Sequence, residues 1–437
     1  MDFRLEAHKI LIKVLIKNVF SDKLLNLTRS KFKDDKQSYD LLFRLVKGVI
    51  KMHIRLDFIA SSHTDKVKFS KTDKKIKILF YSSLYQIIYL DSIPDHAAVN
   101  ETVDLAKKQF NPQIAKFVNA VLRSYLRNPQ ITLPTEKVNK ISVKYSYPVE
   151  LINKWINLWG EDHTEQLCRY FNETSHLNIR VNSFATNSDK LIEYFKRRNI
   201  VIDKSKATSN ILISDNPTGV LQDIAFQEGY FSIQDPSAAL VVELADPRLG
   251  DIVLDLFAAP GGKATYTAEL MQDTGEIFAV DKIPAKIKLL KQNLERLQLK
   301  SIKVFTKDAF EFGPIAPSFD KVFLDVPCSG WGVFQKKAEL RWQIHQKMDK
   351  LLKLQEQSLK RGSQFVKDGG FLIYSTCTMN PKENEKQIYK FLEKHKEFKL
   401  VNASEKINEI YVNNHFLQID PFEHQMDGAF AAKMQKV

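Results

Sequence analysis

The chain has 437 residues, 44% of them hydrophobic, with only 15 Gly and 15 Pro. At roughly 150 residues per domain this is material for two or three packed domains, and it excludes a linker-rich or disordered chain. The formal net charge of +13 favours a polyanionic partner, because each neutralised phosphate releases condensed counterions, but it does not choose among RNA, DNA and an acidic membrane.

The N-terminal stretch MDFRLEAHKILIKVLIKNVF is apolar enough to suggest a signal peptide. Asp2, Glu6, Lys9, Lys13 and Lys17 interrupt it, and the four-residue spacing of the lysines predicts one solvated side of an amphipathic helix. No run elsewhere approaches the roughly 18 apolar residues of a membrane span. With three cysteines and no secretory signal, the expectation is a reducing, cytoplasmic setting.

Residues 1–130 read as helical throughout. YDLLFRLVKGVIKMHIRLDFIA and IKILFYSSLYQIIYL carry apolar residues at three- and four-residue spacing. Asp95 is a candidate N-cap for AAVNETVDLAKKQF, and Asn111-Pro112 breaks that helix before IAKFVNAVLRSYLR. Six lysines between Lys66 and Lys77 form either a solvated charge run or a phosphate contact. Asn128-Pro129 marks a linker. Residues 140–235 then mix helices (PVELINKWINLWG, EDHTEQLCRYFNE) with strand-like pieces (LNIRVNS, ILISD, GYFSIQ) and are read as an α+β connector. From residue 236 to 437 strands alternate with helices, the pattern of a parallel α/β sheet. Its strands read at DIVLDLF, EIFAVD, IKVFTKD, DKVFLDV and GGFLIYST.

In such a sheet, ligands lie beyond the carboxyl ends of the strands. DLFAAPGGKATYTAEL is a strand ending in Asp255, a turn with Gly261 and Gly262, and a helix. Neither the G-x-G-x-x-G dinucleotide pattern nor the phosphate loop is present. An acidic strand end with a small-residue turn suits a cationic, methionine-derived sulfonium. Asp281 ends the second strand, where an acid can accept from both ribose hydroxyls, and Asp308 at the third can reach the adenine side. Strand four runs into Asp325-Val326-Pro327-Cys328 and strand five into Ser375-Thr376-Cys377, so both cysteines sit on the cofactor edge. The absence of C-x-x-C and of a His cluster argues against a metal site. Cys168, on a predicted helix, reads as a core residue.

Two cysteines on that edge fit one chemistry. Cytosine C5 attacks a methyl group only after a thiolate has added at C6, and a base must then take the C5 proton before the thiol leaves. An unperturbed thiol, with a pKa near about 8.5, is only a few per cent thiolate at neutral pH. Asp325 is placed to meet the N3/N4 edge of the base, and donating to N3 would require it to be protonated.

FAAPGGK, DVPCSG and STCT, in this order, resemble motifs I, IV and VI of the RNA 5-methylcytosine methyltransferases. HAAVNETVDLAKK and KFVNAVLR resemble the NusB-like helical domain fused to the bacterial small-subunit rRNA branch of that family, and YFSIQDPSA and DGAFAAK also look like its segments. The resemblance covers essentially the whole chain. It implies an all-α NusB-like RNA-binding domain (1–130), an α+β connector (140–235) and a class I, Rossmann-like methyltransferase domain (236–437). It further implies S-adenosyl-L-methionine as cofactor, held by Phe257, Ala258, Ala259, Pro260, Gly261, Gly262 and Lys263 with Asp281, Asp308 and Asp325. Cys377 would be the nucleophile and Cys328 would assist elimination. Val326, Trp331 and Lys382 depart from the family pattern without removing a reacting group. DNA cytosine methyltransferases use the Pro-Cys of strand four without a Thr-Cys on strand five, so the pair here favours RNA. The implied partner is small-subunit rRNA before full assembly, acted on by a monomer with neither metal nor membrane. The alternatives are the same reaction on tRNA, and an RNA-binding ribosome-assembly factor with secondary catalysis.

Overall fold

The computed structural model describes residues 2–313, 318–343 and 348–437. The chain divides into two compact units.

The first unit comprises residues 2–173 together with residues 334–343. It is helical, opening with Phe3–Leu15, whose Phe3, Ala7, Ile10, Leu11 and Val14 face the core while Lys9 and Lys13 are exposed. Its centre is the long helix Lys36–Ser62, packed against Lys74–Tyr89. Asp95 is the first residue of its helix, and Pro94 occupies the cap position without a side-chain bond, a one-residue difference of the kind fraying ends produce. The lysine run is structured: Asp65 and Asp73 cap the helices Lys66–Ser70 and Lys74–Tyr89, and Lys77 lies 4.5 Å over the Phe69 ring. Cys168 is fully buried, and burial pushes its thiol pKa up.

Residues 334–343 were not anticipated as part of a helical unit. Phe334 stacks on Trp155 at 5.9 Å, and the fully buried Arg341 lies 3.9 Å over Tyr147 while donating to Phe171 O and Asn172 Oδ1. Glu339 accepts from the backbone N–H of Ser21 at 3.0 Å and from its hydroxyl at 2.7 Å. That contact has a clear cause. The helix Ser21–Arg29 has Phe20 at its cap position, which carries no acceptor, and a carboxylate distant in sequence satisfies the orphaned donor instead.

The second unit comprises residues 174–333 and the described residues from 348 onward. It opens with a four-stranded antiparallel sheet of β1 (Leu177–Val181), β2 (Asp203–Lys204), β3 (Ile211–Ser214) and β4 (Phe231–Ile233), in the order β2-β3-β1-β4. Residues 140–235 thus fall into both units: the helices Lys137–Tyr145, Val149–Trp159 and Glu161–Tyr170 bury Trp155 and Leu167 in the helical unit, while β1–β4 close over Ile179, Phe195 and Phe231.

The large sheet contains β5 (Ile252–Asp255), β6 (Glu276–Asp281), β7 (Ile302–Thr306), β8 (Phe319–Asp325), β9 (Val366–Thr376), β10 (Phe398–Val401), β11 (Val412–Asn413), β12 (Phe416–Ile419) and β13 (Ala429–Lys436). The order is β11-β12-β13-β9-β8-β5-β6-β7, with β10 also paired to β13. The segment β7-β6-β5-β8-β9 is parallel and β13 runs antiparallel to β9. The β5 and β8 runs VLD and KVFL are buried, as expected of strands covered on both faces. This is a Rossmann-like sheet, and its order reverses at β5, where β6 and β8 flank it. A reversal of this kind opens a crevice at the carboxyl ends of the strands.

Candidate active site

The cofactor turn begins at Asp255, whose Oδ1 accepts from the Phe257 N–H at 3.2 Å. Ala258 N–H donates to Val280 O at 2.9 Å, tying the turn to β6. Gly261 has φ 107°, and a Cβ there would lie 2.3 Å from Leu290 Cδ1, so both backbone angle and packing require glycine. The helix Gly262–Leu270 follows at once, with no side chain capping its N-terminus.

The turn is held from below by a residue that sequence reading did not single out. Arg180 of β1 is fully buried. It donates to Gly262 O at 2.9 Å, to Thr265 Oγ1 at 3.0 Å and to both oxygens of buried Glu269 at 3.0 and 2.7 Å, and it bonds Gln234. The signal available in the sequence is a lone charge inside the apolar strand LNIRV.

Asp281 ends β6 and is 8% exposed. Its Oδ1 accepts from the Ile283 N–H at 2.9 Å, and among the described residues its other oxygen makes no hydrogen bond. A buried strand-end carboxylate with one uncommitted oxygen fits a ribose diol. Asp308 lies two residues beyond the end of β7 rather than on it. The Phe310 N–H and then Lys282, at 3.2 Å, hold its carboxyl below the usual range. The turn and these acids therefore fit S-adenosylmethionine.

Beyond β8 and β9 the two cysteine turns meet. Cys328 Sγ and Cys377 Sγ lie 3.3 Å apart, both half-buried and free of any disulfide. The Cys328 thiol is pushed well above its ordinary pKa by its hydrogen bond to Cys377, by burial and by the charge of Cys377. Asp325 accepts from Ser375 Oγ at 2.9 Å and pairs with Lys263 Nζ at 2.7 Å. Burial works against the Lys263 charge, but Asp325, Asp255 and Cys377 outweigh it, so the ammonium pKa is raised. Asp255, fully enclosed, is pushed up to about 7 by burial and by the neighbouring Asp325.

Glu383 holds the two turns together, and sequence reading passed over it too. It is completely buried and accepts from four donors: Ser329 N–H at 2.9 Å, Gln355 Nε2 at 3.0 Å, Ser329 Oγ at 2.5 Å and Asn380 Nδ2 at 2.9 Å. Ser329 Oγ also meets Thr378 Oγ1 at 2.8 Å, and Gly332 N–H donates to Cys377 O at 3.1 Å. Gly332 lies so close to Gly428 that a Cβ would approach its carbonyl to 2.3 Å. Glu383 follows STCT by five residues in the run PKENE, where an acid and an amide in a turn were the only hint.

Comparison with known proteins finds relatives along the whole chain. Residues 242–435 match the family described as 16S rRNA methyltransferase RsmB/F, residues 1–127 the NusB family, and residues 147–221 the ferredoxin-like domain of RsmF/B-like methyltransferases. The probable ribosomal RNA small subunit methyltransferase B of Synechocystis sp. is 35% identical over 90% of each chain. The Bacillus subtilis protein of the same name is 33% identical over 100% of this chain and 98% of its own. The solved structure of PH0851 superposes with a TM-score of 0.83 at 27% identity, covering 99% of this chain and 98% of that one. NSun6 from Pyrococcus horikoshii, at 22% identity and a TM-score of 0.60 over 67% of this chain and 99% of its own, shares the fold. The chain belongs to the 16S rRNA methyltransferase RsmB/F family and is an S-adenosylmethionine-dependent RNA methyltransferase.

Proposed function

We propose that this enzyme methylates C5 of a cytosine in small-subunit (16S) rRNA through a covalent bond between Cys377 and C6 of the base. The observation that carries the reading is the 3.3 Å approach of the two thiols beside the Lys263–Asp325 pair. S-adenosylmethionine supplies an electrophilic methyl group. The turn Phe257–Lys263 with Asp281 and Asp308 would hold it, and the lone oxygen of Asp281 is the site for its ribose.

Each remaining step belongs to the protein. The thiol with the raised pKa, Cys328, keeps its proton and donates it towards Cys377, while the Lys263 ammonium favours the Cys377 thiolate. That thiolate adds to C6, and the ring electrons pass to C5, which takes the methyl group. Asp325, oriented by Ser375 and Lys263, faces the N3/N4 edge of the ring. Once Cys377 is bonded to C6 it no longer carries the charge that holds the Cys328 proton, so Cys328 releases that proton to solvent. Its thiolate takes the proton from methylated C5, the C5–C6 double bond re-forms, and the C6–Cys377 bond breaks to return the Cys377 thiolate. The target must leave its stack, at a cost of a few kcal/mol that is smaller in a loop, and the basic helical unit offsets this through phosphate contacts.

The deciding experiment is transfer of labelled methyl to unmodified small-subunit rRNA, with tRNA and a DNA duplex in parallel. Label recovered as 5-methylcytosine in rRNA alone is expected. Label in tRNA alone would overturn the substrate, and label on another atom or base would overturn the chemistry.

A further inference from the structure

The end of the large sheet opposite the cysteines carries a cation cluster that methyl transfer does not use. Lys321 of β8 stands four residues before Asp325, roughly 13 Å away along a strand that rises about 3.3 Å per residue. A cavity of about 550 Å³ opens there, lined by Arg248, Lys321, Lys399, Lys406 and Lys433 together with the acids Asp246 and Glu405.

The charges in this cavity do not cancel. Lys321 is paired with Asp251, which lies outside the lining. Asp246 is shared between Lys406 at 3.0 Å and Arg248 at 3.6 Å. Counting Asp251, five cations face three carboxylates, an excess of two positive charges. Lys399 and Lys433 make no ion pair among the described residues, and they differ in kind. Lys399 is exposed, whereas Lys433 is 6% exposed. The Lys433 ammonium lies 4.6 Å over the Phe371 ring and makes no hydrogen bond among the described residues. Burying an ammonium without a hydrogen-bonded counter-charge is costly, and a ring face recovers only part of that cost. Burial, with Lys321 and Lys406 adding to it against Asp246, lowers the Lys433 pKa to about 8.

We infer that this cavity is a second binding site, one that takes a phosphate group, with Lys433 and Lys399 as its anion-binding residues. Several flexible point charges converging from different strands suit a tetrahedral oxyanion with many acceptor oxygens. A planar carboxylate is better matched by the arginine fork. The phosphate comes either from an RNA backbone or from a free phosphorylated compound, and the chemistry at the site is the same. The inference stands apart from the methyl-transfer reading, because the lining residues include neither cysteine of the pair and no residue of the cofactor turn.

The test is calorimetric titration of the full chain with pyrophosphate at pH 7 and low salt. One saturable site is expected, weakened at least tenfold in Lys433→Met and severalfold in Lys399→Gln, with S-adenosylmethionine affinity unchanged in both. No saturable binding to the unmodified chain, or equal binding by it and both variants, overturns the site. Should Lys433→Met fail to fold, the exposed Lys399→Gln decides alone. A second arm measures rRNA affinity against salt. If the backbone is the source, Lys399→Gln lowers the slope of log affinity against log salt by about one and pyrophosphate competes. Loss of pyrophosphate binding with RNA binding untouched assigns the same site to a free phosphate compound.

Discussion

Glu383 Oε1 lies 2.9 Å from the backbone nitrogen of Ser329, the residue after Cys328, so a carboxylate from the strand-five turn fixes the strand-four turn. Four donors converge on this one buried side chain and set where the two thiols stand relative to each other. Glu383→Gln places an amide N–H against donors and leaves at least one of them unsatisfied, at a cost of about 1–3 kcal/mol. The expected result is a fall of tenfold or more in single-turnover methyl transfer, with S-adenosylmethionine affinity nearly unchanged. An equal loss in both would assign Glu383 to folding alone.

The proposed mechanism divides the thiol pair by role. Cys377→Ala should abolish transfer while keeping cofactor affinity. Cys328→Ala should leave an enzyme–RNA adduct that survives denaturing electrophoresis, because addition proceeds and release does not. Transfer surviving in Cys377→Ala, or no retained adduct in Cys328→Ala, would reassign the two residues.

In the proposed reading Asp281 offers its uncommitted oxygen to the cofactor, while its other oxygen holds the Ile283 N–H. Hydrogen bonds to charged groups are worth roughly 1.5–3 kcal/mol, so Asp281→Ala should weaken S-adenosylmethionine binding by about tenfold or more. Equilibrium binding measures this directly, and unchanged affinity would move the ribose elsewhere.

Asp255 links stability to pH. Its carboxyl titrates near 7 in the fold against an ordinary value of 3.8, so the folded state holds a proton that the unfolded chain has lost. That contribution to stability is complete below about 3.8 and is lost as pH rises through about 7. At about 1.4 kcal/mol per pKa unit the effect is on the order of a few kcal/mol. Asp255→Asn mimics the protonated acid at every pH. Thermal denaturation without cofactor should therefore show the variant gaining on the parent from pH 4.5 to 7.5. A constant difference across that range would remove Asp255 as the source.

Arg341 anchors residues 334–343 within the helical unit through Phe171 O, Asn172 Oδ1 and the Tyr147 ring. Arg341→Ala strips three hydrogen bonds, the third and longest to Lys51 O at 3.4 Å, and a cation–π contact from a fully buried position, and should lower stability by about 3 kcal/mol. Urea unfolding followed by tryptophan fluorescence reads the loss through Trp155. An unmoved midpoint would show that the segment is only loosely attached.

The sequence by itself determined the features written in local periodicity and turn chemistry. The N-terminal helices follow from apolar spacing, and the five parallel strands from short apolar runs closed by Asp, Gly or Pro. The cofactor edge follows because Asp255, Asp281, Asp325 and Cys377 each stand at the carboxyl end of a strand or just past it, and that edge is where an α/β sheet opens. Asp308 could be placed near that edge but not on its strand, since boundaries blur by a residue or two. Tertiary structure alone decided the rest, because the residues concerned act across long separations. Arg180 and Glu269 are 89 residues apart and Ser21 and Glu339 are 318 apart, and no local pattern marks a side chain whose partner arrives from another element. Glu383 belongs with them: a carboxylate in a polar turn reads as solvated until packing removes the water and leaves hydrogen bonds as its only compensation.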